Sequence, residues 1–128
     1  MVKVIFDTNF LLIPCLFKVD IFAEADKLIL EKYSSCIVEQ SIRELKKIMT
    51  SGNGREKRAA LFALSIIKKK KLEILFFSGK DADSAILEAA RANDIIVATQ
   101  DRELKIELKK LKKKTLVLRQ KSHLELQA

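Results

Sequence analysis

The N-terminal stretch reads Val2-Lys3-Val4-Ile5-Phe6-Asp7-Thr8-Asn9. Its first five residues are apolar apart from Lys3, and they lead directly into the acid Asp7. A second apolar run, Ile95–Ala98, leads in the same way into Thr99-Gln100-Asp101. Each run has the length of a short buried strand, and each places a carboxylate at the carboxyl end of that strand. In open parallel α/β sheets this is the edge where ligands bind. The two runs therefore predict a parallel sheet with an acidic site at one edge.

The composition is that of one globular domain with a basic surface. The chain has 128 residues, of which 48% are hydrophobic and 33% are charged. That fraction of charged residues is too high for a membrane protein, and its signs are too mixed for a disordered protein. Lys and Arg number 25 against 17 Asp and Glu, which gives a net charge of +8. Such an excess favours nucleic acid or another polyanion as a partner, although a Lys-rich solvated surface of the kind common in thermophiles is the alternative.

The cysteines and the apolar stretches indicate the cellular compartment in which the protein is expected. Cys15 and Cys36 both lie among apolar residues and form neither a disulfide framework nor a CxxC metal motif. We expect two reduced core thiols. The N-terminal apolar run is interrupted too early for a signal peptide, and Phe10–Phe17 is far shorter than a membrane span. The sequence thus predicts a cytoplasmic protein without membrane contact.

Strand and helix signals alternate along the chain. The predicted strands are Val2–Phe6, Ser35–Val38, Leu72–Phe77, Ile95–Ala98 and Thr115–Leu118. The predicted helical segments are Asn9–Phe17, Asp20 to about Lys32, a helix opened by Ser41, Arg55–Lys70, Asp81–Ala92 and Asp101–Lys113. This alternation predicts an α/β fold, a three-layer α/β/α sandwich with a parallel sheet of four to five strands. The domain is expected to span residues 1–120, and residues 121–128 to form a C-terminal tail.

Four acids follow these strands at positions that should meet at one edge. They are Asp7, Glu44, Asp83 and Asp101. Oxygen ligands of this kind suit Mg²⁺ or Mn²⁺. Two such ions can activate water and stabilise the leaving oxygen of a phosphodiester. The pattern therefore predicts metal-dependent chemistry on a polyanion.

Structural roles compete for some of these acids. Ser41-Ile42-Arg43-Glu44 matches a capping box, so Glu44 has the alternative of bonding back to the start of its own helix. Asp81 is the better helix cap of its pair, which leaves Asp83 to face the site. Asp101 is also placed to cap its helix. The Thr99 hydroxyl is expected either to hold water near a metal or to bond the backbone.

Four short motifs together resemble the PIN domain, a compact metal-dependent α/β nuclease fold related to flap-type 5′-nucleases. They are Phe6-Asp7-Thr8-Asn9, Ser41-Ile42-Arg43-Glu44-Leu45, Asp81-Ala82-Asp83-Ser84-Ala85-Ile86-Leu87 and Val97-Ala98-Thr99-Gln100-Asp101-Arg102-Glu103-Leu104. The resemblance covers nearly the whole chain. It implies that Asp7, Glu44, Asp83 and Asp101 are catalytic metal ligands for Mg²⁺ or Mn²⁺. It also implies a supporting hydroxyl at Thr99, and Asn9 is expected to orient Asp7 or a phosphate.

Within the family, the chain is most similar to the ribosome-biogenesis branch, whose members cut precursor ribosomal RNA. The likeness lies in Thr99–Lys105 and in Phe10–Pro14 with Phe17–Asp20, and Gln100 departs from the usual Asn. The resemblance implies an endoribonuclease. The alternatives are the toxin ribonuclease of a toxin–antitoxin pair, with an antitoxin as partner, and a non-catalytic RNA-binding scaffold. Apolar residues near Phe17–Phe22 either support a homodimer or pack in the core.

Basic residues outside the acidic motifs are candidates for RNA binding. Arg102, Lys105, Lys109 and Lys112 follow helical spacing on the face away from the leucines of their helix. Phosphate contacts from such a row would make binding fall steeply with salt. An ordinary charged helix surface is the alternative for each of them. The single histidine, His123, is expected to be solvated rather than catalytic.

Overall fold

The computed structural model describes residues 1–128, and six strands alternate with helices along them. The strands are β1 (Val2–Phe6), β2 (Tyr33–Val38), β3 (Glu73–Leu75), β4 (Ile95–Ala98), β5 (Thr115–Arg119) and β6 (His123–Gln127). The helices are α1 (Ile13–Phe17), α2 (Ile21–Leu28), α3 (Glu39–Ser51), α4 (Gly54–Lys69), α5 (Ala82–Ala92) and α6 (Arg102–Lys110), with a 3₁₀ turn at Asn9–Leu12.

The sheet has the order β3-β2-β1-β4-β5-β6, and its first five strands are parallel. The chain builds outward from β1 through β2 to β3, and then returns to place β4 on the other side of β1. The direction of winding therefore changes between β1 and β4. In sheets of this type the crevice at that change is the position where ligands bind.

Alternation along the strands divides the core between the two faces of the sheet. In β1, Val4 and Phe6 join one buried cluster, which α2 and α4 cover, while Ile5 joins a second cluster, which α5 and α6 cover. Val19, Ile21 and Phe22 lie in the first cluster, so packing in the core explains most of the segment considered for a dimer contact. The predicted three-layer α/β sandwich is confirmed.

The segment expected to be a tail is instead an edge strand. β6 pairs antiparallel with β5 over five residue pairs, from Thr115↔Gln127 to Arg119↔His123. The connecting turn holds Gln120 at φ 54° and Lys121 at φ 53°, a left-handed pair that is usually formed by Asn-Gly. The sequence lacks that signal, which is why the strand was missed. The sheet thus has six strands rather than four to five.

Helix lengths bear on the question of membrane insertion. The longest helix, α4, has 16 residues. None of the helices combines the length and apolar character that crossing a bilayer requires.

Candidate metal-binding active site

Asp7 and Thr99 lie side by side where the winding of the sheet changes direction. β1 and β4 are in register at Phe6↔Ala98, and the Asp7 amide donates to the Ala98 carbonyl at 2.9 Å. The Thr99 hydroxyl donates to Asp7 Oδ2 at 2.8 Å and accepts from the Asp101 amide at 3.0 Å. Thr99 therefore joins two of the predicted acids through one buried hydroxyl, a more specific role than the alternatives considered from sequence.

The Asp7 carboxylate is buried but keeps free lone pairs. Its residue is 5% exposed, and its Oδ1 accepts from the Thr8 amide at 2.8 Å. The amide of Thr8 and the hydroxyl of Thr99 use one lone pair on each oxygen, and an ionised carboxylate offers about four. Asp7 can therefore take a cation without losing either hydrogen bond. Asn9 is exposed, and its side chain makes no hydrogen bond to Asp7.

Glu44 does not cap its own helix. α3 begins at Glu39, so Ser41 lies inside its first turn and the capping-box alternative is wrong. The two oxygens of Glu44 bond to different elements instead. Oε1 accepts from the Thr8 hydroxyl at 2.8 Å, and Oε2 accepts from the Ala82 amide at 2.9 Å. Glu44 thus ties the end of β1 to the first turn of α5.

The helix caps leave one free acid on α5. Asp81 caps α5, since its Oδ1 accepts from the Ser84 amide at 2.9 Å. Asp83 makes no protein hydrogen bond through its side chain and is partly buried. Asp101 is the cap of α6 and accepts from the Leu104 amide at 2.9 Å through Oδ1. Its Oδ2 makes no such bond, so capping and metal binding do not exclude each other at Asp101.

The electrostatics of Asp7 are those of a carboxylate that needs a counter-charge. Burial raises the pKa of Asp7 above its usual range, although hydrogen bonds from Thr99 and Thr8 act to lower it. The negative charges of Glu44 and Asp101 raise it further. A cation bound beside Asp7 would offset both the burial and the repulsion.

Asp83 experiences the same field. Burial, the largest cause, and the charges of nearby acids together raise its pKa to about 6 from an ordinary value of 3.8. The charges that add to this rise belong to Asp7, Asp101, Asp81 and Glu44. Asp83 therefore lies within electrostatic range of Asp7, Glu44 and Asp101, the other three predicted acids.

The acids of this region, defined here as the acidic pocket, fit a hydrated divalent ion. The pocket consists of Asp7, Glu44, Asp83 and Asp101. No three carboxylates in the chain come close enough to hold one ion directly. Mg²⁺, however, keeps several waters and usually takes one or two carboxylates together with substrate phosphate. Carboxylate oxygens with unused lone pairs therefore suit Mg²⁺ or Mn²⁺, and the acids that do not reach the ion directly would act on it through water.

Three polar residues that build the site were not selected from the sequence. The Thr8 hydroxyl lies 2.8 Å from both Ser41 Oγ and Glu44 Oε1. Gln40 is 5% exposed, and its amide donates to the carbonyls of Phe77 at 2.8 Å and Gly79 at 2.9 Å. Gln40 thereby holds the loop that leads to α5 and its acids. The only sequence signal for these three residues is that each is polar and closely follows the end of a buried strand.

The predicted basic residues separate into two places. Arg102, Lys105 and Lys109 line one groove on the outside of α6. Lys112 follows the end of α6 at φ 59° and lies instead at the opposite edge of the sheet, near Asp94 and the start of β4. Helical spacing failed for Lys112 because α6 ends at Lys110.

The raised pKa of Asp83, caused first by burial and then by repulsion from nearby acids, predicts a pH-dependent effect on stability in the absence of metal. Its folded pKa, about 6, lies above its ordinary 3.8, so the folded state binds the extra proton between these values. The contribution of Asp83 to stability is therefore greatest below about pH 4 and is lost as the pH rises to about 6. We expect Asp83→Asn to raise Tm by a few degrees at pH 7 in EDTA, and to leave it nearly unchanged at pH 4.

Thermal melts at both pH values measure this difference. Glu88→Gln is the matched control, since Glu88 lies on the same helix in an exposed ion pair with Arg91 and should change Tm little at either pH. An equal gain for Asp83→Asn at both pH values would show that the negative charge of Asp83 is not the cause of the gain.

Known proteins match this chain over most of its length. The family model described as "PIN like domain" matches residues 4–121. Ribonuclease VapC4 of Methanocaldococcus jannaschii is 35% identical over 129 residues, which cover 98% of this chain and 97% of that protein. Ribonuclease VapC9 of Archaeoglobus fulgidus is 33% identical over 100 residues, which cover 77% of this chain and 70% of that protein.

A solved structure agrees with the sequence matches. The PIN domain endonuclease Utp24 superposes with a TM-score of 0.77 at 25% identity, over 97% of this chain and 90% of that one. The sheet order, the acidic pocket at the change of winding and these matches lead to one assignment: this chain belongs to the family of PIN-like domains.

Proposed function

We propose that this protein is an endoribonuclease that hydrolyses RNA phosphodiester bonds with Mg²⁺ or Mn²⁺ in the acidic pocket. The observation that carries the proposal is the buried Asp7, which shares one electrostatic field with Glu44, Asp83 and Asp101. The relatives named ribonuclease support RNA as the substrate. The net charge of +8 supports a polyanion as well.

Each residue of the pocket has a distinct part in this proposal. A divalent ion in such a site supplies Lewis acidity, lowering the pKa of nearby water and neutralising charge on the phosphate. Asp7 binds it from the centre of the sheet, and Thr99 and Thr8 keep the carboxylate oriented. Asp83 and Asp101 complete the negative field. Glu44 both contributes charge and holds the start of α5 in place.

The test is cleavage of an end-labelled RNA in Mn²⁺, repeated after EDTA is added and again after excess Mn²⁺ is restored. We expect internal cuts that stop with EDTA and return with the metal. A scaffold that only binds RNA would leave the RNA intact under all three conditions, and that result would overturn the proposal.

Two biological settings use the same chemistry. Processing of precursor ribosomal RNA is supported by the motif resemblance and by the structural match to the endonuclease Utp24. A toxin ribonuclease with an antitoxin partner is the second candidate, favoured by the relatives named VapC. Growth arrest on expression, relieved by a small neighbouring gene, would favour the toxin. Selective cutting of structured ribosomal RNA fragments would favour processing.

The proposal includes a cytoplasmic location. Cys15 and Cys36 are both free thiols, as expected in a reducing compartment.

A homodimer is a further candidate assembly. Leu61 and Phe62 are exposed apolar residues of α4 that such a contact could use.

A further inference from the structure

A basic groove runs between α6 and the last residues of β6. It has a volume of about 550 Å³ and is called here the α6–β6 groove. The charged and polar side chains that the argument uses are Arg102, Lys105, Lys109, Lys113, Glu125 and Gln127. β6, which was not expected from the sequence, forms one wall of this groove.

The cations of the groove are not neutralised by the protein. None of the chain's ion pairs involves Arg102, Lys105 or Lys109. Of the two acids of α6, Glu107 is paired with Lys110 at 3.2 Å, and Glu103 does not line the groove. These three cations are therefore available to an anionic ligand.

The one acid in the groove is already occupied. Glu125 forms an ion pair with Arg119 at 3.4 Å and accepts from the Gln127 amide at 3.2 Å. Lys113 donates to the Asn93 carbonyl at 2.9 Å, which fixes its ammonium group without removing the charge. The groove thus keeps a positive field along its α6 wall, while the β6 wall adds only an acid that is already paired.

The groove begins beside the acidic pocket. Arg102 directly follows Asp101 at the start of α6. Arg102, Lys105 and Lys109 recur at helical spacing along one face, over about 10 Å. A chain laid along these cations would therefore extend from the pocket down the side of α6.

We propose that the α6–β6 groove binds the sugar-phosphate backbone of single-stranded RNA on one side of the bond to be cut. This inference rests on the proposed function and adds the path of the substrate to it. The volume lies in the range of sites that enclose one small ligand, which matches the width of one strand better than that of a duplex. The groove contains no aromatic residue on which a base could stack. It therefore contributes affinity and salt dependence rather than sequence preference.

An acidic protein is the other occupant of suitable charge. Protein interfaces depend on central aromatic anchors seated in apolar pockets. The apolar lining here consists of Ile106, Leu126 and Ala128, at the margin of a row of cations. The charge pattern therefore favours a phosphate backbone.

The experiment measures RNA binding separately from cleavage. Fluorescence anisotropy of a labelled single-stranded RNA is recorded over a range of KCl concentrations in an Asp7→Asn background. The test variant is Lys105→Ala/Lys109→Ala. The control variant, Lys110→Ala/Lys114→Ala, removes the same charge outside the groove: Lys110 is paired with Glu107, and Lys114 lies at the opposite edge of the sheet. Circular dichroism checks the fold of each protein.

Log affinity falls as log salt rises, so the slope of this plot is negative. Loss of two phosphate contacts should make the slope less steep by roughly 1.4 for a single strand. The affinity ratio between the parent and the Lys105/Lys109 double variant should then shrink about 25-fold for each tenfold rise in salt. The control variant should keep the parent slope. Oligo(A) and oligo(U) should be affected equally, and duplex RNA less.

Unchanged slopes in the Lys105/Lys109 variant would overturn the groove assignment, as would an equal loss in the control. Equal losses on duplex RNA would overturn the single-strand assignment. These results leave the nuclease proposal standing if the wild-type protein still cuts RNA in Mn²⁺. Conversely, groove-dependent binding without any cleavage would contradict the nuclease proposal alone.

Discussion

Replacement of Asp7 by asparagine is expected to slow RNA cleavage by on the order of 1000-fold, about 4 kcal/mol in the barrier, and to leave the fold intact. Asp7 is 5% exposed. It lies at the end of β1, next to β4, where the winding of the sheet changes direction. Its charge is the part of the side chain that a divalent ion needs. Asparagine keeps the shape and can still accept from the Thr8 amide while its own amide donates to the Thr99 hydroxyl.

Stability should move in the opposite direction from activity. Since burial raises the pKa of Asp7, the folded protein without metal carries an unfavourable charge that asparagine removes. Melting in EDTA should therefore give a Tm equal to or above that of the wild type. Single-turnover cleavage of a labelled RNA in Mn²⁺ measures the activity.

A matched control lies at the other end of the same strand pair. Asp94 precedes β4, is exposed, and lies at the edge opposite the acidic pocket. Asp94→Asn removes the same charge and should cut RNA at the wild-type rate. If Asp7→Asn also cut at that rate, Asp7 would not be a metal ligand.

The sequence was sufficient to locate acids that end strands or begin helices. Asp7 and Asp101 follow apolar runs too short for anything but buried strands, and parallel strands bring such ends together. Asp81 was recognised as a cap from its position before the alanine-rich face of α5, which left Asp83 for the pocket. These predictions needed only local composition and the geometry of a parallel sheet.

Contacts across the fold could not be found in this way. The hydrogen bonds of Glu44 reach residues 36 and 38 positions away, so its local spacing to Ser41 pointed to the wrong partner. Gln40 bonds to a loop that is 37 and 39 residues distant. Such pairings depend on how α3 and α5 pack together, which no local pattern encodes.

The edge strand was missed for a different physical reason. The turn before β6 uses Gln120 and Lys121 in the left-handed region, where glycine or asparagine is usual. Pairing of β6 with β5 over five residue pairs compensates for the strain of that turn. Tertiary pairing here overrides local preference, and it also creates one wall of the α6–β6 groove.

Glu44 offers the second large effect because two substitutions separate its charge from its structural bonds. Glu44→Gln removes the charge, but its amide can donate to the Thr8 hydroxyl while its carbonyl accepts from the Ala82 amide. Glu44→Ala removes both bonds and leaves the amide of Ala82, a residue 1% exposed, without an acceptor. We expect both variants to lose on the order of 100-fold in cleavage rate.

Only the alanine variant should lose stability. An unsatisfied buried donor costs about 2 kcal/mol, or roughly 8 °C in Tm for a domain of this size. Melting in EDTA should place Glu44→Gln near the wild type and Glu44→Ala well below it. Full activity in Glu44→Gln would make Glu44 a purely structural residue that joins β1 to α5, and Asp7, Asp83 and Asp101 would then supply the negative charge of the acidic pocket. Equal melting of the two variants would instead show that the bond from Glu44 to Ala82 does not stabilise the fold, because the amide had found another acceptor.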